Sequence, residues 1–137
     1  MLPPPNNERF YGELRVESAF DLARCRAGVL SVDTVRAVYF DAVEVVASRL
    51  TIGLPATAIR TLGLDGRWSE WRGVRVFDPV TLSVFDRFVT LDVTEVPGRS
   101  VWVGRLLLEH LQLVVDSATR RLGKSPANDG ECVLDMF

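Results

Sequence analysis

The sequence predicts one mainly β domain with two or three short helices. Three observations carry that prediction. Val80, Leu82 and Val84 alternate with Thr81 and Ser83, and Val89, Leu91 and Val93 alternate with Thr90 and Asp92. This period of two belongs to strands with one buried face. Turn-forming breaks at Asp78-Pro79, Asp86-Arg87 and Pro97-Gly98 punctuate these runs. Helical signals are confined to short stretches, the best being Pro55–Gly63.

Residues 1–8 are rich in Pro and Asn and read as a flexible tail, leaving 9–137 as the single domain. Residues 10–18, FYGELRVES, alternate as a first strand. Phe20–Arg26 suits a short helix, with Gly28 available to end it. Val35–Val46 is rich in Val, Tyr and Phe and reads as one long strand or two short ones. Leu50–Leu54 reads as another. Pro55 suits a first helical position, because its missing N–H has no intrahelical partner there. Ile59 and Leu62 share a face, and Gly63 stands where a left-handed cap is wanted. Asp65–Gly73, DGRWSEWRG, reads as a loop or hairpin tip. Val74–Phe77, Val80–Phe85 and Arg87–Val96 follow as strands. Val101–Gly104 reads as a buried strand turning sharply into a helix. Leu113–Asp116 and Arg120–Leu122 read as a hairpin, and the apolar end Cys132–Phe137 is suited to docking.

The chain has 137 residues, 47% hydrophobic and 25% charged, which fits one globular domain. Net charge is −2, and acids and bases interleave. No basic face suggests nucleic acid. Of the 16 basic residues one is Lys124 and the remainder are Arg, a lineage bias rather than a phosphate site. No run reaches the ~20 apolar residues needed to span a membrane, and the N-terminus lacks a secretory pattern. A cytoplasmic protein is expected. Cys25 and Cys132 have no metal-ligand spacing and read as idle thiols. His110 stands alone, so neither a zinc site nor a Ser/His triad is expected, and no cofactor is implied.

Four stretches carry a resemblance. They are SRLTIGLPATAIRTLGL (48–64), VFDPVTLSVFDRFVTLDVTEVP (76–97), VWVGRLLLEHLQLVVD (101–116) and the Ser125-Pro126-Ala127-Asn128 region. With Leu14–Gly28, their order resembles the bacterial branch of the retropepsin-like aspartic proteases, the clan that includes viral proteases. The resemblance implies a closed β-barrel or sandwich and a homodimer. Each subunit of such an enzyme supplies one Asp from an Asp-Thr-Gly motif. The paired carboxylates share a proton and activate water.

This chain contains no Asp-Thr-Gly or Asp-Ser-Gly. One register lays Glu44-Val45-Val46 on the motif, another lays Val45-Val46-Ala47 there, and counting back from Pro55 places Val46 on the Asp. Glu44 is therefore the candidate carboxylate. Its extra methylene moves the acid by about 1.5 Å, and misplacement of ~1 Å already costs ~100-fold in rate. Val45 cannot donate the hydrogen bond of Thr, and Val46 lacks the freedom of Gly. Asp33 reads as a turn or helix-cap residue and Asp41 as a strand-edge or turn residue. Trp68 and Trp71 fall where the family has its flap and are candidate peptide contacts. Gly104 is expected to allow a turn and Arg105 to pair with a carboxylate, and Glu109 and His110 to lie on a solvated helix face.

The expected function is a catalytically inactive protease-fold protein that binds an extended peptide in a dimer groove. The alternatives are an active aspartic-type endopeptidase using Glu44 from each subunit, and a dimeric scaffold.

Overall fold

The computed structural model describes residues 8–46 and 51–125. Its elements run β1 (Glu8–Ser18), α1 (Ala19–Arg26), a 3-10 turn (Val32–Thr34), β2 (Ala37–Val46), β3 (Ile52–Leu54), α2 (Ala56–Leu62), β4 (Gly66–Ser69), β5 (Val74–Val84), β6 (Arg87–Glu95), β7 (Val101–Gly104), α3 (Arg105–His110), β8 (Leu113–Asp116) and β9 (Arg121–Lys124). The chain is mainly β with three short α-helices, as its alternation predicts.

Six strands close into a barrel. β1 pairs with β2, β2 with β7, β7 with β3, β3 with β6, β6 with β5, and β5 returns to β1. Closure removes the unpaired edges that such a sheet would otherwise expose. β4 extends from β5, and the β8–β9 hairpin attaches to β1 through the pair Tyr11–Arg121. The alternating apolar residues point inward. Phe10, Val16, Val43, Val80, Val93, Val101 and Val103 are fully buried.

Several local signals behave as their chemistry requires. Ser18 caps α1 by accepting from the Asp21 N–H at 3.2 Å. Gly63 ends α2 in the left-handed region at φ 64°, where a Cβ would be strained. Pro55 precedes the helix as its cap instead of opening its first turn.

Three local expectations are corrected. Asp78-Pro79 is not a turn. β5 runs unbroken through it, with a bulge between Phe77 and Val80. Proline has no N–H to lose from the ladder, so a bulge accommodates it. Gly104 has φ −73° and ψ 147°, ordinary extended backbone, so the turn into α3 does not use glycine's freedom. Residue 8 belongs to β1 instead of a tail. The remainder of the expected tail, Cys132, the Pro126–Asn128 segment and residues 47–50 lie outside the described residues.

Candidate functional site

β2 is held on both sides where the candidate carboxylate lies. Val43 and Val45 are buried, so Glu44 between them points to the outer face of the barrel wall, where it is half-buried. It stands in register with Arg9 on β1 and Trp102 on β7, and Trp102 in turn faces Gly53 on β3. The result is one cross-strand row, Arg9–Glu44–Trp102–Gly53. Opposite charges facing each other across strands stabilise a sheet. Val45 pairs with Glu8 and Val103, and Val46 pairs with Gly104. The three residues laid on the Asp-Thr-Gly motif are therefore regular strand, through Val46.

A shared-proton dyad needs each carboxylate to leave the ladder and meet its copy closely. Glu44 instead occupies a mid-strand position on the barrel's outside. Asp33 is exposed on the 3-10 turn. Asp41 is not at a strand edge or in a turn. It is exposed within β2, facing a bulge in β1. None of the three is drawn to another by the fold.

Trp68 and Trp71 sit on the β4–β5 hairpin. Trp68 is 64% exposed on β4, opposite Arg75, and Trp71 is 88% exposed in the turn that follows. The turn is built by local bonds. Gly73 N–H donates to the Ser69 carbonyl at 2.7 Å, and Arg72 N–H donates to Ser69 Oγ at 3.2 Å. Gly73 has φ 67°, the conformation that favours glycine. The Arg72 guanidinium lies 5.7 Å from the Trp71 ring centre, a cation–π distance. A depression of about 460 Å³ opens beside Trp68, between Phe20, Arg67, Phe77, Pro79 and Asp92. Trp71 stands outside its lining. Asp78, at the bulge, accepts from Asp65 N–H at 3.0 Å and from Arg67 at 3.2 Å, tying the base of the hairpin.

The sequence reading passed over Asp21. It is 2% exposed, and the Arg36 guanidinium holds its carboxyl down to about 2, Arg36 N–H and Arg24 adding to the effect against the opposing cost of burial. The signal was present: Ser18 followed three residues later by an acid is a helix-start pattern. The group is structural, joining α1 to the start of β2. Arg105 pairs with Glu8 at 3.2 Å, as expected of that arginine, and Arg120 reaches the same carboxylate at 3.4 Å. Glu109 and His110 are exposed at the end of α3, and Cys25 is half-buried. Among the described residues no group of three His, Cys, Asp or Glu is placed to hold a metal ion, and no helix is long and apolar enough to cross a membrane.

No family model matches the chain. No curated protein matches its sequence. Among solved structures, the retroviral protease-like domain of Ddi1 from Leishmania major is similar with a TM-score of 0.47 and 11% identity, over 87% of this chain and 90% of that one.

Proposed function

We propose that this chain is a non-catalytic, retropepsin-like domain that works as a homodimer and binds an extended peptide beside the Trp68–Trp71 hairpin. The carrying observation is the contrast between two places. Glu44 and Val45 are tied into the barrel wall by strands on both sides, which puts the Glu44 carboxylate on a paired strand instead of a loop. Twenty-odd residues later, two exposed indole rings stand on one hairpin, and the Trp68 ring borders an open depression. Large exposed aromatics beside a concavity are the usual composition of a binding hot spot. β4 lies at one end of the sheet, so an extended peptide has an edge to pair with. The open ends at β4 and β8 also favour a second copy, because unpaired edges are liabilities in a lone domain.

The test is incubation of the parent protein and Glu44→Gln with a diverse peptide library between pH 3 and pH 7. Retention and cleavage are both scored, beside a Trp68→Ala/Trp71→Ala variant. The reading expects no cleavage by any form, and retention by the parent and Glu44→Gln only. Cleavage by the parent that Glu44→Gln abolishes would make the protein an aspartic-type peptidase. A folded dimer that retains no peptide would leave the scaffold role.

A further inference from the structure

A second concavity, of about 1230 Å³, lies on the outside of the barrel and shares no residue with the depression beside Trp68. Its floor is β1, which is paired on both sides. β2 runs along one side, while β9 at Tyr11 and β5 from Leu14 onward hold the other. The floor therefore offers no edge to an added strand. The lining charges balance as well, Arg15 and Arg121 against Glu13 and Asp41. An occupant of this trough must bring a backbone that needs no pairing partner, and it has no reason to carry net charge.

The rim is aromatic. Tyr11, Tyr39 and Phe85 line the trough and are 49%, 68% and 52% exposed. The Arg9 and Arg15 guanidinium groups lie 5.9 Å from the Tyr11 and Tyr39 ring centres. A cation over a ring steadies it, and both tyrosines still keep about half of their surface or more in solvent. Phe85 opens the two-residue turn between Val84 and Arg87 with φ 56°. A bulky residue there is strained, and glycine would fill the position without cost. The ring is kept where the turn would prefer none, and strain of this kind gathers at functional surfaces.

A segment that meets both conditions stands in this sequence. Leu2-Pro3-Pro4-Pro5-Asn6-Asn7 directly precedes β1. Its first four residues carry no side-chain charge. Successive prolines favour the polyproline II helix, which makes no internal backbone hydrogen bonds. Such helices dock in aromatic-lined grooves, and their stiffness lowers the cost of ordering them. The reach is sufficient. Asparagine suits a chain reversal, and Asn6 and Asn7 allow Pro5 to stand as far as about 10 Å from Glu8. Tyr11 lies about 10 Å from Glu8 along β1. Leu2–Pro5 spans a further 9 Å or so as polyproline, against about 13 Å of strand from Tyr11 to Arg15.

We propose that the Leu2–Pro5 stretch of this same chain fills the trough, with its proline rings against Tyr11, Tyr39 and Phe85. The barrel thereby covers its own aromatic wall.

The test is nuclear Overhauser spectroscopy on the full chain labelled with carbon-13. Contacts are expected between the ring protons of Pro3–Pro5 and those of Tyr11, Tyr39 and Phe85. A mixture of labelled and unlabelled chains is expected to show them within one chain only. The contacts should vanish in Pro3→Ser/Pro4→Ser/Pro5→Ser, whose barrel spectrum otherwise stays that of a folded chain. The acetylated peptide Leu-Pro-Pro-Pro-Asn-Asn is then expected to bind this variant at least about tenfold more tightly than the parent, whose own stretch competes at millimolar effective concentration. Adding Tyr39→Ala and Phe85→Gly to the variant should abolish that binding. Absence of the contacts, or contacts to Trp68 and Trp71 instead, would overturn the proposal. Contacts between two chains would give the trough to a second copy and overturn it too, as would equal peptide binding by parent and variant.

Discussion

Arg36 grips Asp21 with two guanidinium nitrogens, Nε to Oδ2 at 2.8 Å and Nη2 to Oδ1 at 2.9 Å, while its own backbone N–H donates to Oδ2 at 3.0 Å. A bidentate arrangement of this kind is among the stronger charged contacts a protein makes. Asp21 is buried in the first turn of α1, and Arg36 lies just before β2. The pair therefore bridges a helix to the barrel. The same guanidinium packs over Gly63, filling the space a Cβ would need there.

Stability is expected to fall in strong acid through Asp21. Its folded value, about 2, lies below the ordinary 3.8. A depressed carboxyl stabilises the fold fully above its unfolded value, and that contribution disappears as pH falls through the folded one. The window is therefore pH 4 down to pH 2. The contribution is on the order of 1–2 kcal/mol, reduced because Arg36 is partly solvated. Urea denaturation of the parent and Asp21→Asn between pH 2 and pH 6 checks it. The gap between the two should narrow towards pH 2, and a constant gap would refute the assignment.

Gly63→Ala is expected to destabilise the chain by about 1–3 kcal/mol. The added methyl group would be strained at φ 64° and would displace Arg36 from its place over the helix end. Gly28→Ala, also at positive φ but with nothing within 4 Å of its Cβ, is the control. Calorimetry should find the Gly63 variant clearly the less stable of the two.

Rebuilding the protease motif should harm the fold without conferring activity. Glu44→Asp/Val45→Thr/Val46→Gly places a hydroxyl at the buried Val45 position and a glycine in a paired strand. Together these changes are expected to cost about 2–4 kcal/mol. Guanidinium denaturation measures the loss, and a peptide-cleavage assay tests for activity. Turnover by the rebuilt form would mean that the segment leaves the barrel wall.

Trp68→Ala and Trp71→Ala are expected to change stability by less than about 0.5 kcal/mol each, since exposed side chains away from the core contribute little. Trp68 retains more contact than Trp71, so the larger change belongs to it. Thermal melts of the two variants make the comparison. A loss above about 2 kcal/mol in either would identify a packing ring rather than a binding one.

Strand alternation in β5 and β6, the Gly63 cap, and the Trp68–Trp71 hairpin were all legible along the chain, because each depends on residues a few positions apart. The local rules for period, capping and turn chemistry act at that range. Asp78-Pro79 misled because a turn and a bulge use the same residue types, and only pairing across to β6 distinguishes them. Glu44 was ambiguous for a related reason. Its chemistry depends on β1 and β7, whose partners Arg9 and Trp102 are 35 and 58 positions away. The concavity of about 1230 Å³ over Gly12 was not legible at all, since β1, β2, β5 and β9 each line it. The linear order thus determined a mainly β chain with short capped helices. Barrel closure decided which face Glu44 occupies, because strand pairing couples residues that no local period connects.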